Sequence, residues 1–268
     1  MLTDEFTKLL ETAKEVEKKT CKDKKPLLEC VVQKCQTNLA KKETSPSEAS
    51  QAYAGAVLDY TFIDESVMVE ESFPRDSWRT RIKAIFSEIE GIETTVKKLN
   101  PGKENFEVID VLGPEIVECM AWRKGALMYM YCATIQEEDK DRIEEDPPCY
   151  AEQIECGIVN LQKMLSIRSP HEVKKDGEER DVETLLSLGI YSDTHLLAMM
   201  YAGEMCYWYS QLKKNHPLLP SSDLDERQIG VKYLQDYLKA VKGPLSVQGW
   251  STERAEQFLH YFKKENPN

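Results

Sequence analysis

Apolar side chains recur at helical spacing along almost the entire chain, and this constrains the fold more than any other feature. Phe6, Leu9, Leu10, Ala13 and Val16 form one stripe, and Leu28, Val31, Val32, Cys35 and Leu39 a second. A third begins at Ser45, an N-cap residue with Pro46 at the first helical position and Glu48 where a capping box needs it. Tyr53, Ala56, Val57, Tyr60 and Ile63 continue it. Ile82, Ile85, Phe86, Ile89, Ile92, Val96 and Leu99 form the next, stopped by Asn100-Pro101-Gly102. Later stripes run through Ile154, Ile158, Leu161 and Leu165, through Val231, Leu234, Leu238 and Val241, and through Ala255, Phe258, Leu259 and Phe262. Ser222 and Asp225 offer a cap for the second of these, and Gly243-Pro244 stops it. Residues 106–112 are strand-like but have no ladder partner, so they read as extended chain or irregular helix. The acidic stretch 137–148 reads as a surface loop or linker, and the polar stretch 169–180 as a loop. The expectation is an all-α fold of about nine helices in a single domain, with residues 1–44 a loosely attached N-terminal hairpin. No period of about 34 or 40 residues recurs, which argues against a solenoid.

Two segments differ from the rest. Residues 126–135 (ALMYMYCATI) and 196–209 (LLAMMYAGEMCYWY) are apolar almost all the way round. A helix that is hydrophobic on every side is buried on every side. Ala121 and Gly125 in one, and Ala198 and Ala202 in the other, are small residues four apart that permit close backbone approach. These two helices are therefore expected to pack on each other at the centre, fully buried, with the amphipathic helices around them. Gly113-Pro114 opens the first helix and Ser192 can cap the second.

The chain carries 35 Lys and Arg against 47 Asp and Glu, a net charge of −12. Such a protein is repelled by phosphate backbones and anionic membranes, so nucleic acid is not an expected partner. The basic run Lys18, Lys19, Lys22, Lys24 and Lys25 reads as a solvated helix end and loop. The opening residues lack a signal-peptide layout, and no stretch has the roughly 18 uncharged residues of a membrane span. The 8 cysteines, without export signal or close pairs, read as reduced thiols in a cytosolic protein with no direct membrane insertion.

Signatures of chemistry are missing. No two glycines lie close enough for a phosphate loop or dinucleotide fingerprint, and no serine occupies a nucleophile elbow. Cys30 and Cys35, the closest pair, miss zinc spacing, while Cys149 and Cys156 read as partly buried thiols on one helix face. Of the four histidines, His171 and His216 lie in loops and His260 pairs with Glu256 on a helix surface. His195 and Glu204 share a helix but point apart, because nine residues turn it through about 900°. His195 reads as a capping or core residue. No catalytic residue, metal site or cofactor is expected.

The polar and aromatic residues of the two apolar helices are the remaining candidates for partner binding or structural polarity: Trp122, Arg123, Lys124, Asp193, His195, Glu204 and Trp208. Glu204 in an apolar setting needs a partner, and Arg123 or Lys124 is the expected one. Trp122 and the run Tyr207-Trp208-Tyr209 fit core packing, with interface anchoring as the alternative.

At these same helices the chain resembles a known family. Residues 118–132 (ECMAWRKGALMYMYC) and 192–208 (SDTHLLAMMYAGEMCYW) are similar to the metazoan Rab-seven-interacting subunit of the Mon-one/Ccz-one complex, with weaker similarity over 56–74 and 243–250. The resemblance covers most of the chain beyond about residue 45. It implies a non-enzymatic cytosolic adaptor that associates with the Mon–Ccz guanine-nucleotide exchange complex and with the late-endosomal Rab GTPase in its GDP form. It further implies protection of that GTPase from degradation and support of its delivery to damaged mitochondria during mitophagy. Outside this class, a helical carrier or enzyme would need an apolar ligand cavity of several hundred Å3 between the central helices.

Overall fold

The computed structural model describes residues 2–19, 24–41, 45–99, 107–168, 181–220 and 222–264. Within them every regular element is a helix, and the protein is all-α. The order is α1 (Leu2–Lys19), α2 (Lys25–Ala40), α3 (Pro46–Glu70), α4 (Trp78–Leu99), α5 (Ile109–Leu112), α6 (Pro114–Glu138), α7 (Asp141–Glu145), α8 (Pro147–Ile167), α9 (Val182–Ser187), α10 (Asp193–Asn215), α11 (Glu226–Lys242) and α12 (Glu253–Lys264). Among the described residues that makes twelve, against about nine expected. The chain divides into two compact units at Met120–Ala121, a point inside α6. The Asn100-Pro101-Gly102 stop, His171, Lys22 and the loop 169–180 lie outside the described residues.

In the first unit α3 is the central element and touches α1, α2, α4 and α5. The spacing alone makes α3 one stripe among several, yet ten of its residues are buried, from Ser50 and Tyr53 to Glu65 and Met68. Its start is as expected: the Ser45 side chain accepts from the Glu48 N–H, and the Glu48 carboxylate accepts from the Ser45 N–H at 3.1 Å. Lys34 pairs with Asp59 and Lys24 with Glu70 (2.5 Å), which ties the basic run to the end of α3. At the α3–α4 turn Ser72 and Phe73 both adopt left-handed backbone, with φ of 51° and 55°. This conformation places the Phe73 ring in the core, 0% exposed. Arg81 on α4 holds the same corner through Asp64 (2.5 Å) and Glu71 (2.7 Å).

Two stretches without a clear helical stripe are helical: of extended chain or irregular helix the first takes the helix, and the second, expected as a loop or linker, is helical too. Residues 109–112 turn once as α5, ended by Gly113 at φ 79°. In the acidic stretch α6 runs on to Glu138, α7 forms around the buried Ile143, and Asp146 caps α8 by accepting from the Cys149 N–H at 3.1 Å. Helix dipoles favour acids at N-termini, so the charge density that suggested a loop instead serves two helix starts.

In the second unit α10 is the central element, packed against α8, α11 and α12. Glycines bring these helices together. A methyl group on Gly203 would sit 2.5 Å from Leu234 of α11, and one on Gly125 of α6 would meet Leu161 of α8 at 2.7 Å. The small-residue position of α6 therefore serves α8, whereas the expectation gave it to α10. Neither apolar helix is sealed on every side. Met130 is 36% exposed on α6, and Leu197, Met200 and Tyr201 are half-buried on α10. Met and Ala tolerate a partly wet helix face, so hydrophobicity all round overstates enclosure.

Candidate functional site

The polar centre of the second unit is Glu204, midway along α10 and 1% exposed. Its Oε2 accepts a hydrogen bond from the Tyr129 hydroxyl of α6 at 3.0 Å. Its Oε1 pairs with the Arg254 guanidinium of α12. The partner is thus neither Arg123 nor Lys124 but an arginine fifty positions further on, in a helix that closes over α10. Burial raises the carboxyl above its ordinary value; Arg254 and Tyr129 oppose this, and Glu137 adds to it. Burial, followed by the neighbouring carboxylate, pushes the Tyr129 phenol well above its usual range.

Around this group the α6–α10 seam is filled by rings. Trp122 stacks on Tyr201 (5.8 Å, 15°), Tyr201 on Tyr129 (3.6 Å, 6°), and Tyr129 on Trp208 (5.6 Å, 18°). Trp122 and Tyr129 are seven apart on one helix, and Tyr201 and Trp208 seven apart on the other. Rising number on α6 matches rising number on α10, so the two helices run parallel. The two outer stacks, at 5.8 and 5.6 Å, have the spacing at which offset rings stabilise beyond the area they bury. The α6–α10 seam, where an apolar ligand cavity would have lain, is occupied by side chains.

The run Tyr207-Trp208-Tyr209 fastens α10 in three directions. Tyr207 stacks on Phe258 of α12 at 4.6 Å, Trp208 joins the ring column, and Tyr209 donates to Glu155 of α8. Burial, and donation to Glu155, push the Tyr209 phenol up to about 12. All three rings make contacts within the second unit.

At the start of α10 the His195 imidazole takes the place of the usual Glu in a capping box. Its Nδ1 accepts from the Ser192 N–H at 3.1 Å and lies 3.2 Å from the Ser192 hydroxyl. The ring, 4% exposed, stacks on Tyr191 at 4.4 Å. Asp193 is exposed in the first turn, where a negative charge favours the helix dipole. Arg123 and Lys124 are half-buried on α6. Glu256 pairs with Lys242 at 2.5 Å, where a pairing with His260 was expected.

Both oxygens of Glu204 are held by protein groups, and the arrangement fixes three helices to one another. Among the described residues no three His, Cys, Asp or Glu side chains gather as metal ligands would. No described helix is long and apolar enough to cross a membrane.

Comparison with known proteins agrees over most of the chain. The sequence profile of the RAB7A-interacting MON1-CCZ1 complex subunit 1 family matches residues 25–263. The human protein of that name is 36% identical over 236 residues, covering 82% of this chain and 79% of its own length. The zebrafish (Danio rerio) protein is 37% identical over 214 residues, with 78% and 76% covered. The mouse protein is 33% identical over 238 residues, with 82% and 80% covered. No solved structure matches.

Proposed function

The chain belongs to the RAB7A-interacting MON1-CCZ1 complex subunit 1 family, and from that premise we propose that it is a non-enzymatic cytosolic adaptor. It binds the MON1–CCZ1 exchange complex and the late-endosomal Rab GTPase, with preference for the GDP form. By doing so it stabilises the GTPase and supports its delivery to damaged mitochondria during mitophagy. The observation carrying this reading is similarity at one-third identity or better across four-fifths of the chain to relatives named for these two partners. The buried polar groups are consistent with it. Glu204 and His195, the ionisable groups that catalysis would recruit first, are engaged in joining and capping helices.

Protection of a partner needs no chemistry. A protein that binds only the folded GTPase lowers the degradable fraction by mass action. At a free concentration 100-fold above Kd the stabilisation is about 2.7 kcal/mol. The test is a binding measurement with purified RAB7A, loaded with GDP or a GTP analogue, and with purified MON1–CCZ1. Binding to the exchange complex, and stronger binding to the GDP form, is the expected result. Binding to none of them overturns the reading.

A further inference from the structure

A cleft of about 1010 Å3 opens in the second unit between α8, α9, α11 and α12, away from the ring column. Its floor is apolar: Leu165, Tyr191, Met199 and Phe262 are 4%, 9%, 3% and 2% exposed. Its rim carries a small excess of basic groups in a chain of net charge −12. Arg227, Lys232, Lys239 and Lys263 stand around it.

Three acids share that rim, and each is engaged by its own surroundings. Asp181 accepts from the Thr184 N–H and Asp225 from the Gln228 N–H, both at 2.9 Å, so these charges are directed at helix N-termini. Asp236 lies 3.8 Å from Lys239. Lys232 and Lys263 are exposed at the opening.

We propose that this cleft docks a short acidic segment of a partner protein, with one apolar side chain of that segment seated on the Tyr191–Met199–Phe262 floor. The chemistry selects such a ligand. An all-apolar segment would leave Lys232 and Lys263 at the opening unused, and a basic one would be repelled by them. The volume lies at or beyond the upper end of the range of about 300–1,000 Å3 typical for drug-sized ligands, which suits a few residues of chain. The proposal deepens the adaptor reading and rests on it, since it names the surface that one of the two partners would use.

Three forms of the chain test it: wild type, K232E/K263E and V231W. Lys232 and Lys263 are surface residues, so reversing their charge leaves the core alone. Val231 lines the cleft and is half-buried, so a tryptophan there fills it. Affinity for RAB7A and for MON1–CCZ1 is measured at low and high salt, with thermal melts verifying folding. For the partner that docks here, both variants are expected to lose affinity at least tenfold. K232E/K263E should also flatten the salt dependence. Unchanged affinity in both variants overturns the cleft and leaves the adaptor reading standing. Loss in K232E/K263E alone reduces the effect to long-range attraction and overturns the cleft as well. A wild-type chain that binds neither partner overturns the adaptor reading and the cleft with it.

Discussion

Tyr129 donates a hydrogen bond to Glu204 at 3.0 Å across the α6–α10 seam, in the middle of a column of stacked rings. The carboxylate on the receiving side is buried, and Arg254 covers its other oxygen with a guanidinium whose side chain is 53% exposed. Desolvation outweighs both partners there, because the carboxyl is raised above its ordinary value.

Stability should therefore depend on pH in a defined direction. With its folded value raised above the unfolded 4.5, Glu204 binds its proton more tightly in the native state. Its contribution is fully present below pH 4.5 and is lost as pH rises through the folded value. Glu204→Gln keeps an acceptor for Tyr129 and removes the ionisation. The variant is expected to match or exceed wild type in urea unfolding at pH 7, and to lack this group's share of the decline between pH 4.5 and neutrality. A variant much weaker than wild type at pH 7 would show that the ion pair dominates instead.

Removing the other partner should be worse than removing the acid. Arg254→Ala leaves the buried carboxylate without its cation. The expected cost is about 1–2 kcal/mol in chemical unfolding, at the low end for a broken buried pair because the guanidinium is half in water. A neutral result would mean that solvent replaces the guanidinium freely.

Two glycines in helix interiors make opposite forecasts. Gly125→Ala pushes a methyl to 2.7 Å from Leu161 Cγ and 3.1 Å from the Leu161 backbone nitrogen, so α6 and α8 must separate. It should destabilise by about 1–3 kcal/mol. Gly91→Ala on α4 meets nothing within 4 Å and should stabilise by about 0.5–1 kcal/mol through helix propensity. Thermal melts of the two variants should shift in opposite senses.

His195 should be replaceable by the residue whose role it takes. His195→Glu keeps an acceptor for the Ser192 N–H, whereas His195→Ala loses the cap and the stack on Tyr191. The alanine variant is expected to lose about 1–2 kcal/mol, with glutamate recovering part of it. Equal loss in both would assign the effect to ring packing.

Ser72→Gly relieves one of two consecutive left-handed residues at the α3–α4 turn. A gain of about 0.5–1 kcal/mol is expected in the same unfolding assay.

Much of the fold was legible because helices announce themselves locally. The Ser45–Glu48 box and the stripe through Ile154 and Leu165 depend on spacing within one segment, and each is found where expected, while of the pair Ser222 and Asp225 it is Asp225 that caps the helix. What escaped was information between segments. Nothing near Glu204 points to an arginine fifty positions on, because that pairing exists only once α12 folds over α10. Gly125 announces a close approach but not the partner, which is Leu161. The four-residue α5 and five-residue α7 are too short for periodicity to register, and each is held by its own buried side chains, Val111 and Leu112 in one and Ile143 in the other. The segments that carry the family resemblance lie on α6 and α10, and their rings and polar groups join helices of the second unit.

Tyr207, Trp208 and Tyr209 give α10 an address in three directions at once. Inserting or deleting a single residue upstream in that helix would swing all three by about 100° and present each ring to the wrong neighbour. The helix can therefore accept exchange of side chains far more readily than any change in its length. Gene variants carrying an in-frame insertion or deletion within 193–206 should yield chains that never reach the native state, even when every altered residue is a good helix former.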